Sequence, residues 1–160
     1  MEKKLFQKLN LSLGARIEYN EMRSPEVVEG FEIPGGVNKQ TRPVMRAGAN
    51  YQIADYSFMR AAFGQGYRFP TVAERFVNTP FGSVRVFPNP ALEPETGWTA
   101  ELGFKQGIQM GNWKGFFDIA GFIQEYDNMM EFVFTVTTDF QFGFQSQNIG
   151  DTRIKGLDMN

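Results

Sequence analysis

The strictest pattern in the sequence is the alternation of KLNLSLGARIEYN, residues 8–20. Its odd positions are apolar or aromatic, and they carry Leu9, Leu11, Leu13, Ala15, Ile17 and Tyr19. Its even positions carry polar residues or glycine. Because successive side chains of an extended chain point to opposite faces, the pattern predicts a long β-strand with one apolar face. A packed core and a lipid bilayer would both satisfy that face.

Further segments alternate in the same way, which makes about six predicted strands in all. They are residues 44–53, 57–68, 95–105, 113–126 and 146–160. Residues 54–56 between the first two predict a tight hairpin, and residues 107–112 form a second short connection. The other connections, residues 21–42, 69–94 and 127–144, are long and are predicted to be loops. The sequence therefore predicts an all-β fold, an antiparallel meander of about six long strands.

The length of these segments favours a membrane over a soluble core. Strands in soluble proteins usually have about five or six residues. A tilted strand that crosses a bilayer needs roughly nine to eleven residues, which is close to the length of the segments here. The order of long and short connections is also typical of outer-membrane barrels, which have short turns on one side and long loops on the other.

Aromatic residues lie near both ends of the predicted apolar faces. With the long loops placed outside the cell, the upper ends carry Tyr19, Tyr67 and Trp98, and the lower ends carry Tyr51, Phe104 and Trp113. Tyrosine and tryptophan prefer the interface between membrane and water, so this order predicts two aromatic girdles. The opposite faces hold charged residues that are expected to pair in a wet lumen, namely Arg16, Glu18, Arg46, Arg60, Glu101 and Lys105.

The last strand limits how the chain can sit in a membrane. Asp151, Arg153 and Lys155 share a face with Leu157 and Met159. Charges in hydrocarbon would cost several kcal/mol, so the bilayer is expected to begin only near Leu157. The smallest closed membrane barrels have about eight strands, and an open edge in lipid leaves backbone groups unsatisfied. The chain is therefore predicted to be one part of a transmembrane β-barrel.

Composition argues against several classes of function. The absence of cysteine and histidine excludes disulfides, thiol nucleophiles and zinc sites of the usual kind. The formal charge of −2 provides no basic field for nucleic acid. No run of about 18 apolar residues could form a transmembrane helix, and residues 1–14 lack the apolar stretch of a signal peptide. No catalytic, metal-binding or cofactor-binding residue is predicted, and the protein is expected not to be an enzyme.

A soluble β-sandwich is the alternative that the residues leave open. In a carbohydrate-binding or glycosidase-like domain, Trp98 or Trp113 would stack on a sugar, and Glu101 and Asp118 would act as acid and base. The sequence does not set the separation of the two carboxylates. This alternative turns the apolar faces inward and predicts a folded monomer without detergent, whereas the membrane interpretation predicts dependence on detergent.

Four segments resemble the β-barrel region of TonB-dependent outer-membrane receptors. They are YSFMRAAFGQGYRFPTVAERF, FPNPALEPETGWTAELGFKQG, FDIAGFIQEYDNMMEF and QNIGDTRIKGLD. The resemblance covers roughly residues 43–158, and its most specific positions are Gly66, Tyr67, Arg68, Pro70, Glu74, Asn89, Pro90, Leu92, Pro94, Glu95, Asn148, Gly150, Gly156 and Asp158. The family more often has glutamate at the position of Asp158.

The resemblance implies a barrel of about 22 strands that is closed by a plug domain, through which TonB couples import to the inner membrane. Residues 1–160 would be a part of such a barrel, with neither the plug nor the full set of strands. The implied function is uptake of a scarce nutrient, such as an iron chelate, cobalamin or a glycan, across the outer membrane of a Gram-negative bacterium. The implied partners are outer-membrane lipid, the remaining strands and plug, TonB through the plug, and the small-molecule nutrient.

The long connection of residues 69–94 holds most of the candidate functional residues. Substrate contacts are predicted at Arg68, Arg75, Arg85 and Phe87, because binding residues of such scaffolds are usually found on loops. Four glycine or proline residues lie where a strand becomes a loop, namely Gly66, Pro70, Pro90 and Pro94. They are interpreted as residues that set the backbone conformation, glycine by its freedom and proline by its fixed φ.

The same connection carries the signature of a short helix. Thr71 and Glu74 have the spacing of a capping box, in which each residue satisfies a free backbone N–H of the other. This spacing predicts a helix of about residues 72–77.

Overall fold

A computed structural model describes residues 2–5, 8–23, 27–28, 31–32 and 37–160, with side-chain surroundings for residues 8–23 and 37–160. In chain order the elements are β1 (Glu2–Leu5), β2 (Leu9–Arg23), β3 (Val27–Val28), β4 (Phe31–Glu32), β5 (Val37–Ala54), β6 (Ser57–Arg68), α1 (Val72–Phe76), β7 (Thr79–Phe81), β8 (Val84–Phe87), β9 (Glu95–Met110), β10 (Trp113–Val136) and β11 (Phe142–Met159). The main sheet has nine strands in the order β1-β2-β5-β6-β9-β10-β11-β8-β7, and β3 pairs with β4 alone. In these ranges, no helix is long and apolar enough to cross a membrane.

Long strands form the antiparallel meander that the alternation predicts. They are β2, β5, β6, β9, β10 and β11, which have from 12 to 24 residues and pair in chain order. Tight turns at residues 55–56 and 111–112 join β5 to β6 and β9 to β10. Gly111 has a φ of 60° in the second turn, a conformation that glycine adopts at little cost. The short strands β1, β7 and β8 bring the main sheet to nine, so the predicted number of about six holds only for the long strands.

One face of the main sheet is apolar from β2 to β11. Directly paired residues share a face, so the register decides which side chains lie together. One row across the sheet consists of Leu11, Ala49, Ala61, Leu102, Gly121 and Leu157. The adjacent row consists of Leu13, Ala47, Phe63, Ala100, Ile123 and Lys155. The apolar faces predicted strand by strand therefore meet on a single surface.

This apolar face is open rather than covered by a second layer. Leu13, Leu102 and Leu157 are 65%, 60% and 73% exposed. A β-sandwich would pack a second sheet against it, but the other sheet among the described residues is the pair β3 and β4, each of two residues. The described part of the chain therefore contains no sealed interior of the kind that the soluble alternative requires.

The opposite face is polar, and four of the charged residues predicted to pair there, Arg16, Glu18, Arg60 and Glu101, form ion pairs. Pairing of Arg46 and Lys105 stays a prediction. Arg60 on β6 donates to Glu101 on β9 at 2.9 Å and also pairs with Asp118 on β10. Arg16 pairs with Glu18 along β2. Such pairs between neighbouring side chains stabilise a sheet while leaving its surface wettable.

Large side chains of this polar face lie flat over glycines of the neighbouring strand. The cross-strand pairs are Arg46 over Gly14, Arg60 over Gly103, Tyr126 over Gly97 and Phe122 over Gly156. A Cβ placed at any of these glycines would come within 3.0 Å of the large side chain. The glycines therefore make room for the large residues, which in turn cover backbone that glycine leaves bare.

The upper border of the apolar face carries polar groups that bind one another. Trp98 on β9 donates from Nε1 to Glu125 on β10 at 3.1 Å, and Glu125 pairs with Arg153 on β11. Tyr19 on β2 donates to Glu21 at 2.8 Å. Trp98 and Tyr19 thus have the apolar body and hydrogen-bonded tip expected of an upper girdle. One of the charges on the face of the last strand, Arg153, is neutralised at this border.

Tyr67 departs from its predicted outward position. β5 and β6 pair only as far as Arg46 and Gly64, although both strands continue upward. The Tyr67 hydroxyl donates to Glu18 on β2 at 2.6 Å, and Glu18 belongs to the polar face. Because the ladder between the two strands ends at Arg46 and Gly64, the Tyr67 hydroxyl can bind Glu18 of the polar face rather than a partner at the upper border.

The third predicted loop is mostly strand. β10 and β11 continue as a ribbon and leave a turn of only residues 137–141, so the prediction of a loop over residues 127–144 is wrong. Phenyl rings pair across the ribbon, Phe132 with Phe144 at 5.3 Å and Phe134 with Phe142 at 6.3 Å between centroids. Cross-strand aromatic pairs stabilise such a ribbon, but they can be recognised only when the register is known.

The first predicted loop is also shorter than expected. β2 extends to Arg23 and β5 begins at Val37, so strand replaces loop at both ends of residues 21–42. Residues 24–26, 29–30 and 33–36 of that prediction lie outside the described residues. β5 accommodates Pro43 because this stretch has no ladder with β6, and proline is tolerated where a strand lacks a second neighbour.

The buried apolar residues concentrate at the long-loop end of the sheet. Those found among the described residues are Val44, Phe76, Phe87, Leu92, Ala120 and Met130. The connection of residues 69–94 contributes Phe76, Phe87 and Leu92, and it also forms the hairpin of β7 and β8, which the sequence did not predict. β8 pairs in parallel with β11 at Gly143–Gln145. This connection therefore folds back onto the sheet and packs there.

Candidate functional site at the long-loop end

Helix α1 is held at its start by the predicted capping box. The Thr71 side chain accepts a hydrogen bond from the backbone N–H of Glu74 at 3.2 Å, and Glu74 accepts one from the backbone N–H of Thr71 at 2.7 Å. The helix spans Val72–Phe76, which confirms the prediction of about residues 72–77. The box also fixes the position of the Glu74 carboxylate.

Arg68 connects this helix to two strands. From the end of β6, its guanidinium donates to Glu74 of α1 and to Glu95 at the start of β9, both at 2.7 Å. Glu95 also accepts a hydrogen bond from the backbone N–H of Met130 on β10 at 2.6 Å. A chain of charge-assisted hydrogen bonds therefore links β6, α1, β9 and β10.

The Glu74 carboxylate makes this cluster sensitive to acid. Burial alone would raise the pKa of Glu74, but hydrogen bonds from Arg68 and Thr71 outweigh burial and hold the pKa below its ordinary value of 4.5. A carboxyl group with a depressed pKa stabilises the folded state above its unfolded pKa. That stabilisation is lost as the pH falls through the folded-state pKa.

We expect acidification from neutral pH through the folded-state pKa of Glu74 to loosen residues 69–94, because Glu74 then becomes protonated and releases Arg68. Hydrogen exchange of the backbone amides, corrected for the pH dependence of intrinsic exchange, measures the loosening. Glu74→Gln is the control, since it cannot ionise and is expected to exchange faster at neutral pH but to respond less to acid. Equal acid responses of the wild type and Glu74→Gln would contradict the role given to Glu74.

Asparagine side chains tie the end of this connection to β11. Asn148 accepts a hydrogen bond from the backbone N–H of Glu93 and donates one to the Glu93 carbonyl, both at 3.0 Å. Asn89 donates to the carbonyl of Ser146 at 2.9 Å. A carboxamide can accept and donate at once, so Asn148 imitates a backbone partner and holds the segment as a neighbouring strand would.

Leu92 anchors the same segment by burial. Its side chain is 1% exposed, and its carbonyl accepts a hydrogen bond from Arg75 of α1. Pro70 and Pro94, at the two ends of the connection, are also buried, whereas Pro90 is half-buried. The residues that carry the family resemblance in this region therefore meet in one packed unit.

The candidate substrate contacts have different surroundings. Arg68 has a side chain that is 45% exposed and engaged in two ion pairs. Arg75 and Phe87 are buried, and Arg85 is half-buried and donates to Asn78 at 2.6 Å. The structure thus brings all of these residues to the same end of the sheet and leaves Arg68 as the most accessible. Contact with a substrate stays a prediction for each of them.

The remaining glycines and the aspartate of the resemblance lie along the strands. Gly150 has a φ of 124° at an irregularity of β11, a conformation that favours glycine. Gly156 leaves space for the Phe122 ring, and Asp158 pairs with Ala120. Gly66 has no positive φ, and a Cβ there would meet nothing within 4 Å, so its own backbone does not require the conformational freedom of glycine.

A hollow of about 450 Å³ opens beside the Arg68 cluster. It is lined by the upper parts of β6, β9 and β10, including Gly66, Arg68, Gly97 and Tyr126. Gly66 and Gly97 are directly paired, and because neither has a side chain they leave space at the base of the hollow. Arg68 and Tyr126 contribute a charge and an aromatic ring to its lining. The sequence alone does not reveal this hollow, since its glycines become neighbours only through the register.

The residues of the glycosidase alternative have other partners. Glu101 and Asp118 both accept hydrogen bonds from Arg60, which accounts for both carboxylates as counter-charges of one arginine. Trp98 is hydrogen-bonded to Glu125, and Trp113 is exposed beside the lower turn. In the described part of the chain, no cluster of three acidic residues, cysteines or histidines is arranged to hold a metal ion.

Solved structures with the same fold are receptors and a transporter. A double mutant of the hemophore receptor HasR of Serratia marcescens, in complex with the hemophore HasA and heme, is 16% identical with a TM-score of 0.69, over 95% of this chain and 29% of that one. The siderophore receptor PirA of Pseudomonas aeruginosa is 15% identical with a TM-score of 0.70, over 99% of this chain and 29% of that one. The copper transporter OprC is 19% identical with a TM-score of 0.69, over 99% of this chain and 24% of that one. The chain therefore spans less than a third of each of these structures.

A family model matches almost the same part of the chain as these structures do. No curated protein matches the chain. The family model described as TonB dependent receptor-like, beta-barrel matches residues 3–160, which is nearly the whole sequence. The chain belongs to the TonB-dependent receptor-like β-barrel family.

Proposed function

We propose that this chain is part of the barrel of an outer-membrane, TonB-dependent transporter that takes up a scarce nutrient. The observation that carries the proposal is the open apolar face, which runs in register across β2, β5, β6, β9, β10 and β11 and lies opposite a polar, ion-paired face. In a transmembrane barrel, such a sheet places the apolar face against acyl chains and the polar face toward a wet lumen. In water, the same face would be a contiguous exposed apolar patch, which soluble monomers rarely carry.

The edges of the sheet support a larger barrel. β8 pairs with β11 only at Gly143–Gln145, and no strand in the described part of the chain covers the rest of that edge. Unpaired backbone groups are very unfavourable in hydrocarbon, so further strands have to complete the pairing. The proposed whole protein has about 22 strands, a plug domain and contact with TonB through that plug.

The structural neighbours support a metal-containing nutrient. Their names specify a hemophore and heme for HasR, a siderophore for PirA and copper for OprC. We therefore favour an iron chelate over cobalamin or a glycan as the cargo of this receptor. We further propose that the nutrient is met at the outer mouth by the hollow beside Arg68 and by the connection of residues 69–94. The support is that both lie at the long-loop end of the sheet.

Single-cysteine labelling tests the proposed orientation, and residues 1–160 contribute no natural cysteine that would react beside the introduced one. In receptor embedded in outer membranes or liposomes, we expect Leu11→Cys, Ala47→Cys and Leu102→Cys to resist a membrane-impermeant thiol reagent. Lipid contact shields these positions, which lie on the open apolar face. Mass spectrometry of the labelled protein measures the reaction.

Neighbouring positions on the polar face are the matched controls. We expect Ser12→Cys and Ala62→Cys to react more readily in the same membranes, and all variants to react after solubilisation and unfolding. Rapid labelling of the apolar-face positions in intact membranes, at rates like those of the controls, would contradict contact with lipid.

A further inference from the structure

Arg75 on helix α1 is a buried cation. Its side chain is 5% exposed, and its Nη2 group donates to the carbonyl of Leu92. The Nε group is buried and has no hydrogen-bond partner in the described part of the chain. Arginine stays protonated in proteins, so Arg75 keeps its positive charge in this buried place.

The described acidic residues near Arg75 are engaged elsewhere. Glu74, its neighbour in the helix, binds Arg68 and Thr71, and Glu95 binds Arg68 and Met130. The Glu93 side chain contacts Asn128 at 3.5 Å. Burial lowers the pKa of Arg75, and no neighbouring charge opposes that effect. Arg75 therefore differs from Arg60, Arg68 and Arg153, which all have carboxylate partners.

A buried charge without a counter-charge is strongly unfavourable, so the surroundings of Arg75 are incomplete. We infer that the counter-charge of Arg75 is a carboxylate supplied by a part of the receptor beyond this chain. A carboxylate suits the Nε group of Arg75, because a carboxylate accepts hydrogen bonds from a guanidinium with favourable geometry. A transported nutrient fits less well, since a ligand that enters and leaves needs a path to a group that is almost fully buried.

This inference rests on the proposed function, because the rest of the receptor has to supply the carboxylate. It gives Arg75 a structural role in which the connection of residues 69–94 is locked to another segment of the receptor. Removing one member of a buried ion pair leaves the other charge unpaired, which is strongly destabilising. Removing a buried charge that has no partner has the opposite sign, since it relieves an unfavourable burial.

The sign of the stability change therefore tests the inference. In the complete receptor in lipid vesicles, we expect Arg75→Gln to lower the urea midpoint of unfolding, even though glutamine retains a donor for the Leu92 carbonyl. Arg75→Lys keeps the charge and is expected to recover more than half of that loss. Arg42→Gln is the control on the exposed polar face and is expected to leave the midpoint unchanged. A midpoint for Arg75→Gln equal to or above that of the wild type would overturn the inference.

Further outcomes separate the remaining explanations. If Arg75→Gln does not fold, the inference is supported when Arg75→Lys still folds, as shown by a heat-dependent shift in gel mobility. Failure of both variants to fold overturns the inference. A urea midpoint for Arg75→Lys no higher than that for Arg75→Gln also overturns it. Sodium citrate tests for a mobile anion against sodium chloride of equal ionic strength. If citrate raises the midpoint of the wild type but not that of Arg75→Gln, the counter-charge is a diffusible anion and not a receptor carboxylate. Membrane location and uptake are not readouts here, so failure of this inference leaves the proposed function standing.

Discussion

Leu102→Arg is expected to lower the free energy of unfolding of the membrane-embedded receptor by about 2 to 4 kcal/mol. Leu102 is 60% exposed on the apolar face and shares a row with Ala61 and Gly121. In the proposed barrel this position faces acyl chains, where an arginine side chain loses its hydration without gaining a partner. Urea titration of receptor in lipid vesicles, followed by tryptophan fluorescence, measures the change.

Ala62→Arg is the control for this substitution. Ala62 neighbours Ala61 in sequence but lies on the polar face, where it pairs with Glu101. An arginine there faces water and a carboxylate, so we expect a change within about 0.5 kcal/mol. Equal destabilisation by Leu102→Arg and Ala62→Arg would show that the two faces meet the same environment, which would contradict a lipid-facing surface.

Leu92→Ala is expected to destabilise the long-loop end by about 2 to 5 kcal/mol, the range for deletion of a buried leucine side chain. Leu92 is 1% exposed, and its carbonyl also receives the hydrogen bond from Arg75. The loss of packing is expected to free residues 88–94 from β11. Hydrogen exchange of that segment, together with the urea midpoint of the receptor, measures both effects.

Val72→Ala is the control for the buried leucine. Val72 lies in α1 but is 59% exposed, so its truncation removes little packing. We expect the exchange of residues 88–94 in Val72→Ala to match the wild type. If Leu92→Ala left both the midpoint and the exchange unchanged, Leu92 would not anchor this connection.

Strand alternation predicted the open apolar face well because it depends on local geometry. In an extended chain, Leu11 and Ser12 have to point to opposite sides whatever they contact. The tight turns follow from equally local signals, such as the short run of residues 54–56. The capping box of Thr71 and Glu74 is local in the same sense, since both partners lie within one turn of helix.

The errors of prediction occur where distant residues decide the structure. The sequence predicts a loop over residues 127–144, but β10 and β11 pair through most of them, and the Phe132 and Phe144 rings stack across this pairing. Tyr67 was assigned to the outer girdle, but the end of the ladder between β5 and β6 lets it bind Glu18. Neither the register of the ribbon nor the end of that ladder is encoded in a short window of sequence.

The candidate site shows the same division. The resemblance to a family pointed to Arg68, Glu74, Glu95 and Asn148, but it did not say what each of them binds. Only the fold brings Arg68 between Glu74 and Glu95, and only the fold shows that Arg75 is buried without a described carboxylate. Charge and burial are properties of a three-dimensional neighbourhood, so they cannot be read from the order of residues.

The sequence by itself determined that the chain forms long β-strands with one apolar and one polar face, because the period of a strand is a local property of the backbone. The tertiary structure decided that these faces join into one open surface, and that residues 69–94 fold back to pack against β11. Those outcomes depend on register and on contacts between residues far apart in the chain, which alternation alone leaves undetermined.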